Sequence, residues 1–114
     1  MQIICINLAE NFSFITDVAV GHLCQCMNIK GLKEINLADN SITDEGLLKI
    51  SKANVMSKLE EIILYGNSDI SSEGLIYLGE SSFLKNLKKL DLHDTSICDK
   101  GLSYLLKSEN CTNL

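Results

Sequence analysis

Two groups of side chains in this sequence could do chemistry at close spacing. The first is His22 with Cys24 and Cys26. Imidazole and thiolate are zinc ligands, but a structural site takes four of them, usually as two pairs. No second pair stands at a usable spacing. Cys24 and Cys26 also align with Ser51, Ala53 and Ser81, small residues at helical positions elsewhere in the chain. The second group is Asp91, His93 and Asp94. A carboxylate beside an imidazole can move protons, but no Ser or Cys nucleophile accompanies them apart from the distant Cys5. There is no glycine-rich phosphate loop and no motif of paired carboxylates. The expectation is no metal, no cofactor and no catalysis, with Asp91, His93 and Asp94 forming part of a polar binding surface.

What positions those residues is a repeated element. Leu87-Lys88-Lys89-Leu90-Asp91-Leu92-His93-Asp94-Thr95 has apolar residues at its first, fourth and sixth places. Earlier copies run Leu59 to Asn67, Leu32 to Asn40 and, more weakly, Ile3 to Asn11; the starts at 3, 32, 59 and 87 are 29, 27 and 28 residues apart. Self-similarity at such a period marks a solenoid. Each copy reads as a short strand, a bend at Asn11, Asn40, Asn67 or Thr95, and an apolar anchor at Ile15, Ile42, Ile70 or Ile97. A helix follows, capped by Thr16, Thr43 or Ser71. In the last copy Cys98 holds the cap position, and Asp99 is expected to cap in its place. Asp17, Asp44, Glu45, Glu73 and Asp99 suit the positive end of the helix dipole.

The pairs Val20/Leu23, Leu47/Ile50, Leu75/Leu78 and Leu102/Leu105 share one helical face. Gly46, Gly74 and Gly101, with Ala19 in the first copy, suggest close packing between neighbouring repeats. The first repeat carries an insertion with Phe12 and Phe14, expected either to cap the open first repeat or to bind a partner.

The pattern resembles the leucine-rich repeat family, LxxLxLxxN, and by its period the ribonuclease-inhibitor-like and cysteine-containing subclasses. The resemblance covers nearly the whole chain. It implies an α/β fold, a right-handed leucine-rich-repeat solenoid of about four strand–helix repeats with a parallel sheet on the concave face. The expected organisation is a single domain over 1–114, with repeats at about 3–31, 32–58, 59–86 and 87–113. The family also implies a protein-binding module. Inhibition of an enzyme by covering its active site is one form of that role, and a small bacterial effector is one possible origin. The alternatives are a substrate-recognition fragment of a ubiquitin-ligase receptor and a purely structural repeat module.

Composition narrows the partners. The net charge of −5 argues against nucleic acid and anionic membrane surfaces. No apolar run is long enough to span a bilayer. The N-terminus lacks the basic flank of a signal peptide. The odd count of five cysteines at irregular spacing does not read as a disulfide framework. Free buried thiols would suit a reducing cytosol, of the host if the protein is an effector.

Side chains alternate along a strand, so the third and fifth places of each repeat face outward, and the seventh and eighth continue that face. The fifth place reads Asn7, Asn36, Ile63, Asp91, and the seventh Ala9, Ala38, Tyr65, His93. Ile63 and Tyr65 are apolar where polar residues are expected. Asn36, Asp39, Glu61, Asp91, His93 and Asp94 ring them. An apolar and aromatic centre inside a polar rim is the anatomy of a protein interface. The acidic rim implies a partner with a basic or donor-rich contact surface.

Overall fold

The computed structural model describes residues 3–11, 14–111 and 114. Strands β1 (Cys5–Asn7), β2 (Glu34–Asn36), β3 (Glu61–Ile63) and β4 (Lys89–Asp91) alternate with helices α1 (Asp17–Cys24), α2 (Asp44–Ser51), α3 (Ser72–Glu80) and α4 (Asp99–Leu106). The strands form one parallel sheet in chain order, with Cys5, Glu34, Glu61 and Lys89 side by side, and likewise Asn7, Asn36, Ile63 and Asp91. This is the α/β solenoid that the repeat pattern predicts. No helix among the described residues is long and apolar enough to cross a membrane.

The apolar places of the repeat fill the space between sheet and helices. Leu32, Ile35, Leu37, Leu59, Ile62, Leu64 and Leu87 are fully buried, as are Ile42 and Ile70 behind the bends and Leu47, Ile50, Leu75 and Leu78 on the helices. Leu102 departs from the helical-pair expectation. It is 43% exposed, because among the described residues no repeat packs beyond α4. Of the two inserted phenylalanines, Phe12 lies outside the described residues. Phe14 is 88% exposed, so it does not cap the first repeat.

The bend asparagines join repeats as well as closing turns. Asn67 Nδ2 donates to Leu64 O and to Leu37 O of the preceding repeat, both at 2.9 Å, while its Oδ1 accepts from Ile42 N at 2.8 Å. Asn40 Nδ2 reaches Leu8 O at 2.8 Å, Ala38 O at 3.0 Å and Leu37 O at 3.2 Å, but its buried Oδ1 has no partner among the described residues. Among the described residues the Thr95 hydroxyl bonds only Leu92 O, within its own turn. A hydroxyl has one proton to give where the amide has two.

A second ladder was not legible as such in the sequence. The Asp17 carboxylate accepts from Thr43 N at 2.9 Å and Thr43 Oγ1 at 2.6 Å. One repeat on, Asp44 accepts from Ser71 N at 2.8 Å, Ser71 Oγ at 2.5 Å and Gly74 N at 3.0 Å. The cap hydroxyls thus donate to the previous repeat while accepting from Glu45 N and Glu73 N of their own helices. Gly74 must be glycine because a Cβ there would lie 2.5 Å from Asp44 Oδ1 and 2.7 Å from Leu47. In the last repeat the clamp is replaced. Ser72 stands where Asp17 and Asp44 do, and its Oγ accepts from Cys98 N at 3.1 Å. Cys98 remains the cap residue and Asp99 is the first helical residue, so the expected capping by Asp99 does not occur. Asp44→Ala would orphan the Ser71 amide and hydroxyl and leave the Gly74 amide with Ser71 O alone. We expect a loss of about 2–3 kcal/mol in urea denaturation. Asp99→Ala, at the same place in the fourth repeat, where no such clamp is made among the described residues, should be nearly neutral.

The cysteines also depart from expectation. Cys5 and Cys98 are exposed and Cys24 and Cys26 are half-buried; none of the four is fully buried. They belong to the first and fourth repeats, whose outer sides no neighbour covers among the described residues. Their reactivity should differ sharply. Burial pushes the Cys24 thiol up to about 11, only partly offset by Lys49. The hydrogen bond from Ser72 and the amides of Lys100 and Gly101 at the start of α4 hold Cys98 below the ordinary thiol range. Because the thiolate is the nucleophile, iodoacetamide at neutral pH is expected to label Cys98 well before Cys24. Peptide mapping over time checks the order.

Candidate interaction surface

The sheet presents its third and fifth places to the concave side, and the bends after each strand extend that surface. All eight residues singled out from the sequence lie on β2, β3, β4 or the bends that follow them. Asn36, Ile63 and Asp91 are directly in register. Glu61 sits between Glu34 and Lys89. Glu34 is a residue the sequence reading left out of the surface. Its place in the ladder was the signal, and with Glu61 it helps burial raise the Cys5 thiol's pKa. Asp91, His93 and Asp94 are exposed, whereas Asn36, Asp39, Glu61, Ile63 and Tyr65 are half-buried between flanking strands. Ala38, expected on the outward face, is fully buried: a single methyl between the Ala9 and Tyr65 positions is covered by its neighbours.

Much of this ladder is occupied in shaping the bend. The eighth place of every repeat takes a left-handed backbone, at Glu10 (φ 61°), Asp39 (φ 52°), Gly66 (φ 78°) and Asp94 (φ 52°). Such a conformation is uphill for a residue with a Cβ, and least so for Asp, Asn and Gly. Just before it, a side-chain oxygen braces the turn. Asn7 Oδ1 accepts from Ala9 N, Asn36 Oδ1 from Ala38 N and Asp91 Oδ1 from His93 N, at 3.0–3.1 Å. Asn36, Asp39, Asp91 and Asp94 therefore have conformational work that the sequence reading did not assign to them. His93 Nε2 and Asp94 Oδ2 are 3.7 Å apart on side chains at least three-quarters exposed, a loose contact in water.

Repeat three breaks this rule. Ile63 has no oxygen to offer the Tyr65 amide, and Gly66 takes the left-handed place without strain. A Cβ at Gly66 would also run into Asp39 Oδ1. The third bend is therefore made by glycine, which leaves the bracing place free for an aliphatic side chain. Ile63 and Tyr65 stand together on the third of four strands, with carboxylates on the flanking ladders.

The Leucine Rich repeat family model matches residues 32–51 and 83–106, the strand-to-helix parts of the second and fourth repeats. Over those two stretches the chain is similar to leucine-rich repeats. Four copies of the repeat, each a strand at the concave face and a helix behind it, agree with that match. No curated protein matches the chain. Cys5 lies three strands from Asp91 and His93, roughly 14 Å across a sheet of this spacing, so these groups are not assembled for nucleophilic catalysis. Among the described residues no group of three or more His, Cys, Asp or Glu side chains is placed to hold a metal ion.

Proposed function

We propose that this leucine-rich repeat chain is a non-catalytic module that binds another protein through its concave face, with Ile63 and Tyr65 as the apolar centre. The observation that carries this is the exchange at the fifth place. Three repeats spend that place on a turn-bracing oxygen, and the third gives it up for an exposed-side isoleucine beside a tyrosine. Exchanging a local hydrogen bond for an apolar side chain at the water face is what an interface centre asks of a residue. The surrounding Glu34, Glu61, Asp39, Asp91 and Asp94 favour a partner rich in lysine, arginine or backbone donors. Blocking an enzyme's active site is the form this binding takes if that enzyme carries a basic cleft. The reading places the protein in the cytosol, with all five thiols reduced.

Affinity capture with wild type beside Ile63→Asn tests the reading. A stoichiometric partner retained by wild type and lost by Ile63→Asn supports it. A partner held equally by both refutes it.

A further inference from the structure

Gly21 is a glycine that the packing does not require. It stands inside α1, where a glycine weakens a helix. At Gly46, Gly74 and Gly101 a Cβ would run into Asp17, Asp44 or Ser72 of the preceding repeat, so packing enforces those glycines. At Gly21 a Cβ would meet only the Lys49 side chain, at 3.4 Å from Nζ, which is ordinary contact. The same helical place holds Leu48 in α2 and Ile76 in α3. The bare backbone at Gly21 leaves a groove of about 490 Å³ between α1 and α2, within the size range of small-molecule sites. Its walls are two neighbouring helices. The exposure of Val18 on its rim is shared by Glu45 and Glu73 at the same place of the inner helices.

The lining carries one sign of charge. Lys49 lies on α2, and Lys52 is the residue that ends it. His22 and Gln25 add nitrogen donors from the α1 side. Val18, Cys24 and Ala53 supply the apolar part. No carboxylate lines the groove, although the chain has 15 of them against 10 lysines and arginines. Among the described residues neither lysine forms an ion pair. Lys49 Nζ donates to the Asp17 carbonyl at 3.1 Å. That bond holds the ammonium beside Gly21 and leaves it two further protons to give.

The grooves between the later helices are different. Tyr77 and Tyr104 take the place of Lys49 in them. Between α2 and α3, Tyr77 and Phe83 bring aromatic rings and Glu80 joins Lys52 in the lining. Between α3 and α4, the Tyr104 hydroxyl donates to Glu80. A lysine near a helix C-terminus also complements the helix dipole, which accounts for Lys49 and Lys52 taken alone. It does not account for the glycine facing them or for a lining without carboxylates.

We propose that the groove between α1 and α2 binds a small organic anion, a carboxylate or phosphate carried on an aliphatic body. Charge-assisted hydrogen bonds from the two ammonium groups hold the head. The body lies along Gly21, Val18 and Ala53, where no aromatic ring offers a stacking face. The site is on the helical side of the solenoid and is independent of the concave surface.

Titration of the isotope-labelled protein with octanoate, followed through its amide NMR shifts, tests the proposal. Saturable shifts are expected at Gly21, Cys24 and Lys52. Octyl phosphate should bind at the same amides, and the stronger of the two names the head group. Octanol keeps the body without the charge and should bind about ten-fold more weakly or worse. Inorganic phosphate, with no body, should not saturate. Gly21→Leu gives α1 the side chain that α2 has at this place; it should abolish the shifts while circular dichroism shows the helices intact. Lys49→Met and Lys52→Met keep the aliphatic stems and leave Gly21 untouched, and each should weaken octanoate about ten-fold. No saturation up to about 10 mM octanoate or octyl phosphate, equal binding of octanol, saturation by inorganic phosphate alone, or lysine variants that bind as wild type does would each overturn the assignment.

Discussion

Ile63→Ser combined with Tyr65→Ala is expected to leave the solenoid folded and to lose the partner. A central anchor sheltered by a polar rim typically carries about 2–4 kcal/mol of binding, on the order of thirty- to a thousand-fold in affinity. Neither residue belongs to the buried core, so the melting temperature should change little. The structure supplies a cleaner variant. Ile63→Asn recreates the oxygen that Asn7, Asn36 and Asp91 present to the amide two residues on. It should be neutral or slightly stabilising while still removing the aliphatic anchor. Loss of affinity with unchanged or raised stability is a result that general damage to the fold cannot produce. Asp94→Lys should act mainly on association rate and salt dependence, since exposed charges steer more than they hold. Tyr77→Ala is the control on the helix side, where the phenol donates to its neighbour Glu73. Normal binding by both concave variants with loss in Tyr77→Ala would move the working face to the helices.

The second large effect is on stability. Asn67→Leu should cost about 3–5 kcal/mol. The side chain is fully buried, and its removal leaves the Ile42 amide and the carbonyls of Leu37 and Leu64 short of partners in a place water cannot reach. Asn40→Leu should cost less, about 1–3 kcal/mol, because the Asn40 Oδ1 makes no bond among the described residues. Thr95→Val removes a single hydroxyl contact in the last repeat and should cost least of the three. Urea denaturation of the three variants gives the order. Equal losses at Asn67 and Thr95 would mean that the bend side chains do not bind repeats to one another.

The repeat itself was legible because its cause is local. Strand side chains alternate and helix side chains recur on one face, so the spacing of Leu32, Ile35 and Leu37 and of Leu47 and Ile50 is set by geometry within a few residues. Whichever repeat packs next door, those places must be apolar. The bend asparagines and the small residues Gly46 and Gly74 were legible for the same reason. The outward ladder was legible too, since register follows once the strands are parallel and in order, and that ladder brought Ile63 and Tyr65 together.

What the tertiary structure decided is where each polar group spends its hydrogen bonds, because those partners lie about one repeat away in sequence. Asp17 and Asp44 look like helix-dipole residues in the chain and are clamps on the next repeat in space. Asp39 and Asp94 look like rim charges and also occupy left-handed bends. Asn36 and Asp91 look like contact residues and brace those bends. The exposure of Leu102, Cys5 and Cys98 was invisible for a related reason. A repeat's pattern records which face is apolar, and only the stack determines whether a neighbour is there to cover it.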